Sequence, residues 1–234
     1  MARWTPRRRR QPGSRWILAT VAASLLLGSG VGAAATVGIT SDKVATFTIV
    51  ATVPISTCTL TPSADSYVDQ ATLQQGTNFG TVTPLQVESS QTLGLVSTNK
   101  RSFVMFDLAS CSIPSVAAVQ SATLSVFLST APNQNRTWNI NRVTGAWTEG
   151  GITWSNQPAS TSSTSVTTGT TSNVTLQATV TSNVQSFVSG SLTNNGWQFS
   201  DSVEDSATVR NGQFRSREFG TVAQRPTLVV NYYP

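Results

Sequence analysis

From Leu60 onward, apolar and polar residues alternate in short runs, and clusters of Gly, Pro, Asn and Ser separate the runs. Period two over a few residues marks a half-buried strand, and the intervening clusters supply turns. The pattern predicts strands near Tyr67 to Asp69, Leu85 to Glu88, Arg101 to Phe106, Ala122 to Leu128, Trp138 to Arg142, Asn173 to Val180, Gly196 to Ser200 and Thr227 to Tyr232. Weaker strand signals lie near Ser165 to Thr168 and Gln213 to Glu218. In Thr181 to Val188, Val184, Phe187 and Val188 are spaced for one short helix face. The expected fold class is all-β, a sandwich of antiparallel strands. No internal repeat occurs, and residues 60–234 are enough for one domain around one core. The Ser/Thr tract from Ala159 to Ser172 reads as a long surface connection.

The chain before this pattern is of another kind. Arg3, Arg7, Arg8, Arg9, Arg10 and Arg15 precede an apolar or small-residue run from Trp16 to Ala35, which ends in Gly32-Ala33-Ala34-Ala35. Residues 1–35 are expected to be a signal peptide cleaved near Ala35. The alternative is an uncleaved signal anchor, because Trp16 to Ile39 comes close to the roughly 20 residues that cross a bilayer. Both imply export, to a secreted or cell-surface location. Residues 36–59 are expected to be a linker or an added edge strand.

Charge changes meaning once the leader is set aside. The formal net charge is +5. Without residues 1–35, nine Lys and Arg face ten Asp and Glu. Nucleic acid is therefore excluded as a partner, and a membrane is met only through an uncleaved leader. Cys58 and Cys111 are expected to form one disulfide in an oxidising compartment, the alternative being two separate buried thiols.

The chain has no histidine. That removes Ser-His-Asp and Cys-His triads, the common zinc sites and the commonest general base near neutral pH. Glu149, Glu204, Asp205 and Glu218 remain candidates for a glycoside-hydrolase pair, although surface and turn carboxylates are their commoner role. A lyase would draw on Tyr67, Tyr232 or Tyr233, of which Tyr67 is expected to pack. The expectation is a protein that is not an enzyme.

Three aspartates form a candidate metal site. Asp65 and Asp69 flank the first predicted strand and Asp107 follows the strand ending in Phe106, so their oxygens could gather at one end of the sandwich around a structural Ca2+. The competing role is strand-end capping and turn hydrogen bonding.

Sugar binding would need aromatic faces for stacking and fixed polar groups for hydroxyls. Trp138, Trp147 and Trp154 stand in one stretch, and such a cluster is either a core corner or a stacking platform. Trp138 follows Asn135-Arg136-Thr137 at a loop exit and is expected to be exposed. Among Arg101, Arg136, Arg142, Arg210, Arg215 and Arg217, the last three cluster within eight residues. Guanidinium forks suit uronic acid carboxylates, and the spacing of Arg215 and Arg217 would put both on one face of a strand. Arg142, Arg210, Arg215 and Arg217 join the tryptophans as candidate ligand-binding residues.

Taken in order, Ala64-Asp65-Ser66-Tyr67-Val68-Asp69, Asn78-Phe79-Gly80, Leu85-Gln86-Val87, Arg101 to Leu108, Ala122 to Val126, Trp147-Thr148-Glu149 to Pro158, and Ser216-Arg217-Glu218 to Val230 resemble the DNRLRE domain. That domain is similar to family 96 carbohydrate-binding modules and to the repeats of disaggregatase-related proteins. The resemblance covers Leu60 to Pro234. It implies a jelly-roll β-sandwich, exported, and in some members able to bind polysaccharide. The expected function is an exported, non-catalytic carbohydrate-binding module that attaches to polysaccharide of the cell envelope or surroundings. A structural cell-surface or matrix protein is the alternative, ahead of a polysaccharide lyase or hydrolase.

Overall fold

Runs rich in Val, Thr and aromatic residues take up the pleated conformation that suits their branched or flat side chains. The computed structural model describes residues 54–234. Along it run β1 (Ser56–Leu60), β2 (Ala64–Asp69), β3 (Leu85–Ser89), β4 (Gln91–Thr92), β5 (Val96–Ser97), β6 (Lys100–Met105), β7 (Ala118–Thr130), β8 (Thr137–Val143), β9 (Ser160–Thr167) and β10 (Val174–Thr179). Helix α1 (Thr181–Val188), β11 (Trp197–Asp201), β12 (Arg210–Phe214) and β13 (Thr227–Tyr233) complete the order. Strands β4 and β5 pair only with each other. The others form one sheet in the order β1-β13-β7-β12-β3-β6-β11-β8-β9, with β10 added on β7 and β2 on β6.

Every pairing is antiparallel, so the fold is all-β as expected. Strand β7 shows how the pattern makes the core. Ala122, Leu124, Val126 and Leu128 all point inward and are buried, while Ser121, Thr123 and Ser125 alternate with them. They meet Leu228 and Val230 of β13, Leu85 and Val87 of β3, and Trp138, Ile140, Trp197, Phe199 and Phe214 in a single cluster. Burial of a large apolar side chain contributes about 1.5–3 kcal/mol, so this cluster dominates the stability. Helix α1 forms over the predicted residues and buries Val184 and Phe187, with Phe187 set edgewise on Trp197 at 5.6 Å.

The Ser/Thr tract is a correction. Most of it is strand β9, paired with β8 from Thr137↔Thr167 to Val143↔Ser160 with one irregularity. An outermost strand needs partners for its backbone on one side and little apolar face, so small polar β-formers suffice. Strand β1 extends the sheet at its other end, pairing with β13 from Ser56↔Tyr232 to Leu60↔Leu228. Cys58 in β1 and Cys111, at the end of a short 3-10 turn over Leu108–Cys111, form the disulfide, with Cα atoms 5.9 Å apart. The leader, residues 1–35, and most of residues 36–59 lie outside the described residues.

Candidate ligand-binding cleft

Strands β8 and β11 separate an apolar face from a polar one. Trp138 and Ile140, with Trp197 and Phe199, face the core. The alternate residues face outward, and the register sets Asn139 opposite Ser200 and Asn141 opposite Gln198. With Ser160 of β9 they make the floor of a polar cleft. Asn141 Nδ2 donates to Gln198 Oε1 at 3.2 Å and to Ser200 Oγ at 3.4 Å, and Ser160 Oγ donates to Gln198 Oε1 at 3.0 Å.

One wall is ionic and aromatic. Arg101 of β6 forks onto Glu204, with Nε to Oε1 at 2.7 Å and Nη2 to Oε2 at 2.6 Å. Its Nη1 donates to Gln157 Oε1 at 3.3 Å, and its guanidinium carbon lies 4.6 Å from the Trp154 ring centre. Bidentate pairing and stacking on an indole both fix the guanidinium plane. Asp201, also lining the cleft, is held by Arg136, whose Nε donates to Oδ2 at 2.8 Å.

The aromatic and basic residues singled out from the sequence do not share one surface. Trp138, expected to be exposed, is fully buried. Strand β8 begins at Thr137, so period two carries Trp138 to the same side as Ile140, and its ring fills the space left by Gly212, where a Cβ would collide with it. Trp147 is half-buried, stands 5.7 Å from Phe103, and donates through Nε1 to Asn195 O at 2.9 Å. Trp154 alone of the three borders the polar cleft, through Arg101. Arg142 sits in β8 opposite Trp197 and Thr161, outside the cleft lining. Strand β12 stops at Phe214, and Arg215 and Arg217 lie just beyond it, partly exposed and alternating with buried Phe214 and Ser216, each with its own local partners. Arg210 Nη1 donates to Asn133 Oδ1 at 2.9 Å, and Arg215 stacks over Phe219 at 4.0 Å.

Arg217 instead enters a knot of three segments. Its Nη1 donates to Glu149 Oε1 and Oε2, both at 2.9 Å, and to Ser63 O at 2.9 Å. The Arg217 N–H donates to Asp65 Oδ2 at 2.7 Å, and the Asp65 N–H donates to Glu149 Oε1 at 2.9 Å. Carboxylate oxygens of Asp65, Glu149 and Glu218 come within 4.8 Å of one another. Burial pushes the Asp65 carboxyl up to about 8, against the pull of the Arg217 N–H and helped by the charges of Glu218 and Glu149.

Asp69 and Asp107 do not join Asp65. Asp69 pairs with Lys100 at the far end of β2, 3.8 Å from Nζ, and accepts from the Ala71 N–H at 2.8 Å. Asp107 caps the 3-10 turn by accepting from the Ala109 N–H at 2.9 Å. Both do what strand-end and turn aspartates do.

The cleft floor went unnoticed in the sequence, although Asn139-Ile140-Asn141 and Gln198-Phe199-Ser200 carry its signal. Amides alternating with buried apolar residues put a row of donors and acceptors on an outward sheet face. Among the described residues, no helix is long and apolar enough to cross a membrane. No curated protein matches the chain. The family model for carbohydrate-binding module family 96 matches residues 56–232, the span from β1 to β13. The chain thus belongs to carbohydrate-binding module family 96.

Proposed function

We propose that the protein is an exported, non-catalytic module of jelly-roll architecture that binds polysaccharide of the cell envelope or surroundings in the cleft between Arg101 and Ser160. The amide floor carries the proposal. Asn139, Asn141 and Gln198 offer donors and acceptors together on a rigid sheet, which is what vicinal hydroxyls require. The family membership supports carbohydrate as the ligand class, and the curled antiparallel sheet supports the jelly roll. Export is supported by the disulfide and by the arginine-led apolar leader. The non-catalytic role is supported by the carboxylates at the cleft, since Glu204 and Asp201 are each committed to an arginine.

Affinity electrophoresis against a polysaccharide panel tests the reading. Retardation by at least one polymer, lost in Asn141→Ala, is the expected result, and no retardation by any polymer would shift the reading to a structural surface or matrix protein.

Calcium belongs to the same reading as a structural ion, at Asp65, Glu149 and Glu218 rather than at Asp65, Asp69 and Asp107. All three offer hard oxygens; the Arg217 guanidinium pairs with Glu149 and Glu218, and Asp65 is met by the Arg217 backbone N–H. A rise in melting temperature on adding calcium, reversed by chelator and absent in Glu218→Gln, is expected. An unchanged melting temperature would remove calcium from the reading.

A further inference from the structure

Lys100 is the sole lysine among the described residues, and every other basic side chain there is an arginine. The other ion pairs in this part of the chain are made by Arg101, Arg136 and Arg217. A guanidinium keeps its proton in a protein, whereas an amine can give one up and become a nucleophile. The one amine is placed with the partners that such chemistry needs. We propose that Lys100 and Asn211 of the folded protein join in an isopeptide bond, with Glu88 moving the protons.

Strand register brings the three together. Glu88 of β3 lies opposite Lys100 of β6 on one side and opposite Asn211 of β12 on the other. Lys100 Nζ donates to Glu88 Oε2 at 2.9 Å, and Asn211 Nδ2 donates to that same oxygen at 2.7 Å. Amine and amide nitrogens are therefore no further apart than these two lengths laid end to end, and the flexible stem of Lys100 covers the remaining gap. Glu88 is buried, and the Lys100 side chain is only 18% exposed. Gln86 Oε1 accepts a second hydrogen bond from Asn211 Nδ2 at 3.3 Å, which fixes the amide against Glu88. Amides are ordinarily inert to amines, and holding the two together on a rigid sheet supplies the proximity that solution lacks.

The step balances without a co-reactant. The Lys100 ammonium passes a proton to Glu88, and the freed amine attacks Cγ of Asn211. The bond from Nζ to Cγ forms as the bond from Cγ to Nδ2 breaks. Nδ2 leaves as ammonium, with two of the protons that Lys100 brought, both carried by Glu88, which ends as the carboxylate it began. The product ties β6 to β12 across β3.

Peptide mapping of the full chain by mass spectrometry, after reduction of the disulfide and digestion with trypsin, tests the bond. In the native protein trypsin is expected to leave the chain uncut after Lys100. The peptide Asn211–Arg215 should appear joined to the peptide that ends at Arg101, the pair lighter than its two parts by one ammonia. Lys100→Arg, which keeps the positive charge, should give only separate peptides, and Glu88→Gln should cut the joined fraction at least tenfold. Melting curves confirm that both variants fold.

Cleavage after Lys100 with a free Asn211–Arg215 peptide in the native protein overturns the proposal, whatever the variants do. Loss of ammonia from Asn211 that persists in Lys100→Arg also overturns it, because ring closure of Asn211 onto Gly212 would then be its source. Joined peptides as abundant in Glu88→Gln as in the native protein overturn the part given to Glu88.

Discussion

Arg217 grips both carboxylate oxygens of Glu149 at 2.9 Å through a single nitrogen, joining the loop after β8 to the turn after β12. Glu149 also receives the Asp65 N–H that opens β2. Both side chains are about a third exposed, at 35% and 27%, so solvent screens the charge attraction and the shared hydrogen bonds matter more. Replacing Glu149 by Ala leaves the Asp65 N–H without its acceptor and Arg217 with only Ser63 O and Glu218 as partners. A loss of about 2 kcal/mol is expected, read as a lower urea midpoint at unchanged slope.

The pH dependence of stability should report Asp65. An unfolded aspartate titrates near about 4, whereas burial holds this one up to about 8. Between those values the folded protein keeps a proton that the unfolded chain has released. Stability from this group is therefore complete below about pH 4, declines as pH rises, and levels off above about pH 8. Asp65→Asn keeps an acceptor oxygen for the Arg217 N–H and removes the titration. In chelator, its urea midpoint should fall less than the native one between about pH 5 and about pH 8, and equal falls would assign the dependence elsewhere.

Gly196 has φ +74, and a Cβ there would run into the carbonyl oxygen of Val104. Gly196→Ala combines a left-handed backbone with a collision at the start of β11, next to the cleft floor. A loss of about 3 kcal/mol is expected from chemical denaturation.

Removing the disulfide by Cys58→Ser with Cys111→Ser frees a loop that spans a sequence separation of 53. The chain-entropy model gives a cost of about 4 kcal/mol. Denaturation of the double variant beside the reduced native protein checks it, and both should lose the same amount.

Truncating Trp138 and Trp154 should separate core from cleft. Trp138→Ala opens a cavity among Ile140, Phe214 and their neighbours and should cost about 3–5 kcal/mol. Trp154→Ala removes the support beneath Arg101 and should cost far less stability while weakening retardation by polysaccharide. Melting curves and electrophoresis on the two variants read the difference.

Most of the longer strands and the helix were legible because alternation in β7, and the spacing of Val184 and Phe187 in α1, directly encode which side is buried, whereas the polar β9 and the short β4 and β5 carry no such alternation. The pairing of Cys58 with Cys111 was legible from count and compartment. What failed was depth. Local sequence places Trp138 beside a loop, but only the packing of β8 against Gly212 of β12 shows that its ring is inside. The expected aspartate trio failed likewise, since the antiparallel register of β2 and β6 sends Asp69 away from Asp65. Segments that carry the family resemblance, around Asp65, Glu149 and Arg217, converge on the knot, whereas the cleft floor lies mostly outside them.

The pairing of β1 with β13 has a consequence for how such a unit is used. The first and last strands of the described residues are hydrogen-bonded neighbours at one end of the strand order, while β8, β9 and β11 build the cleft at the other. A host chain could enter and leave through a single seam without crossing the face that meets ligand. Splicing into larger proteins, or rejoining the two ends by a short peptide and cutting a loop elsewhere, would leave both the core and the cleft untouched.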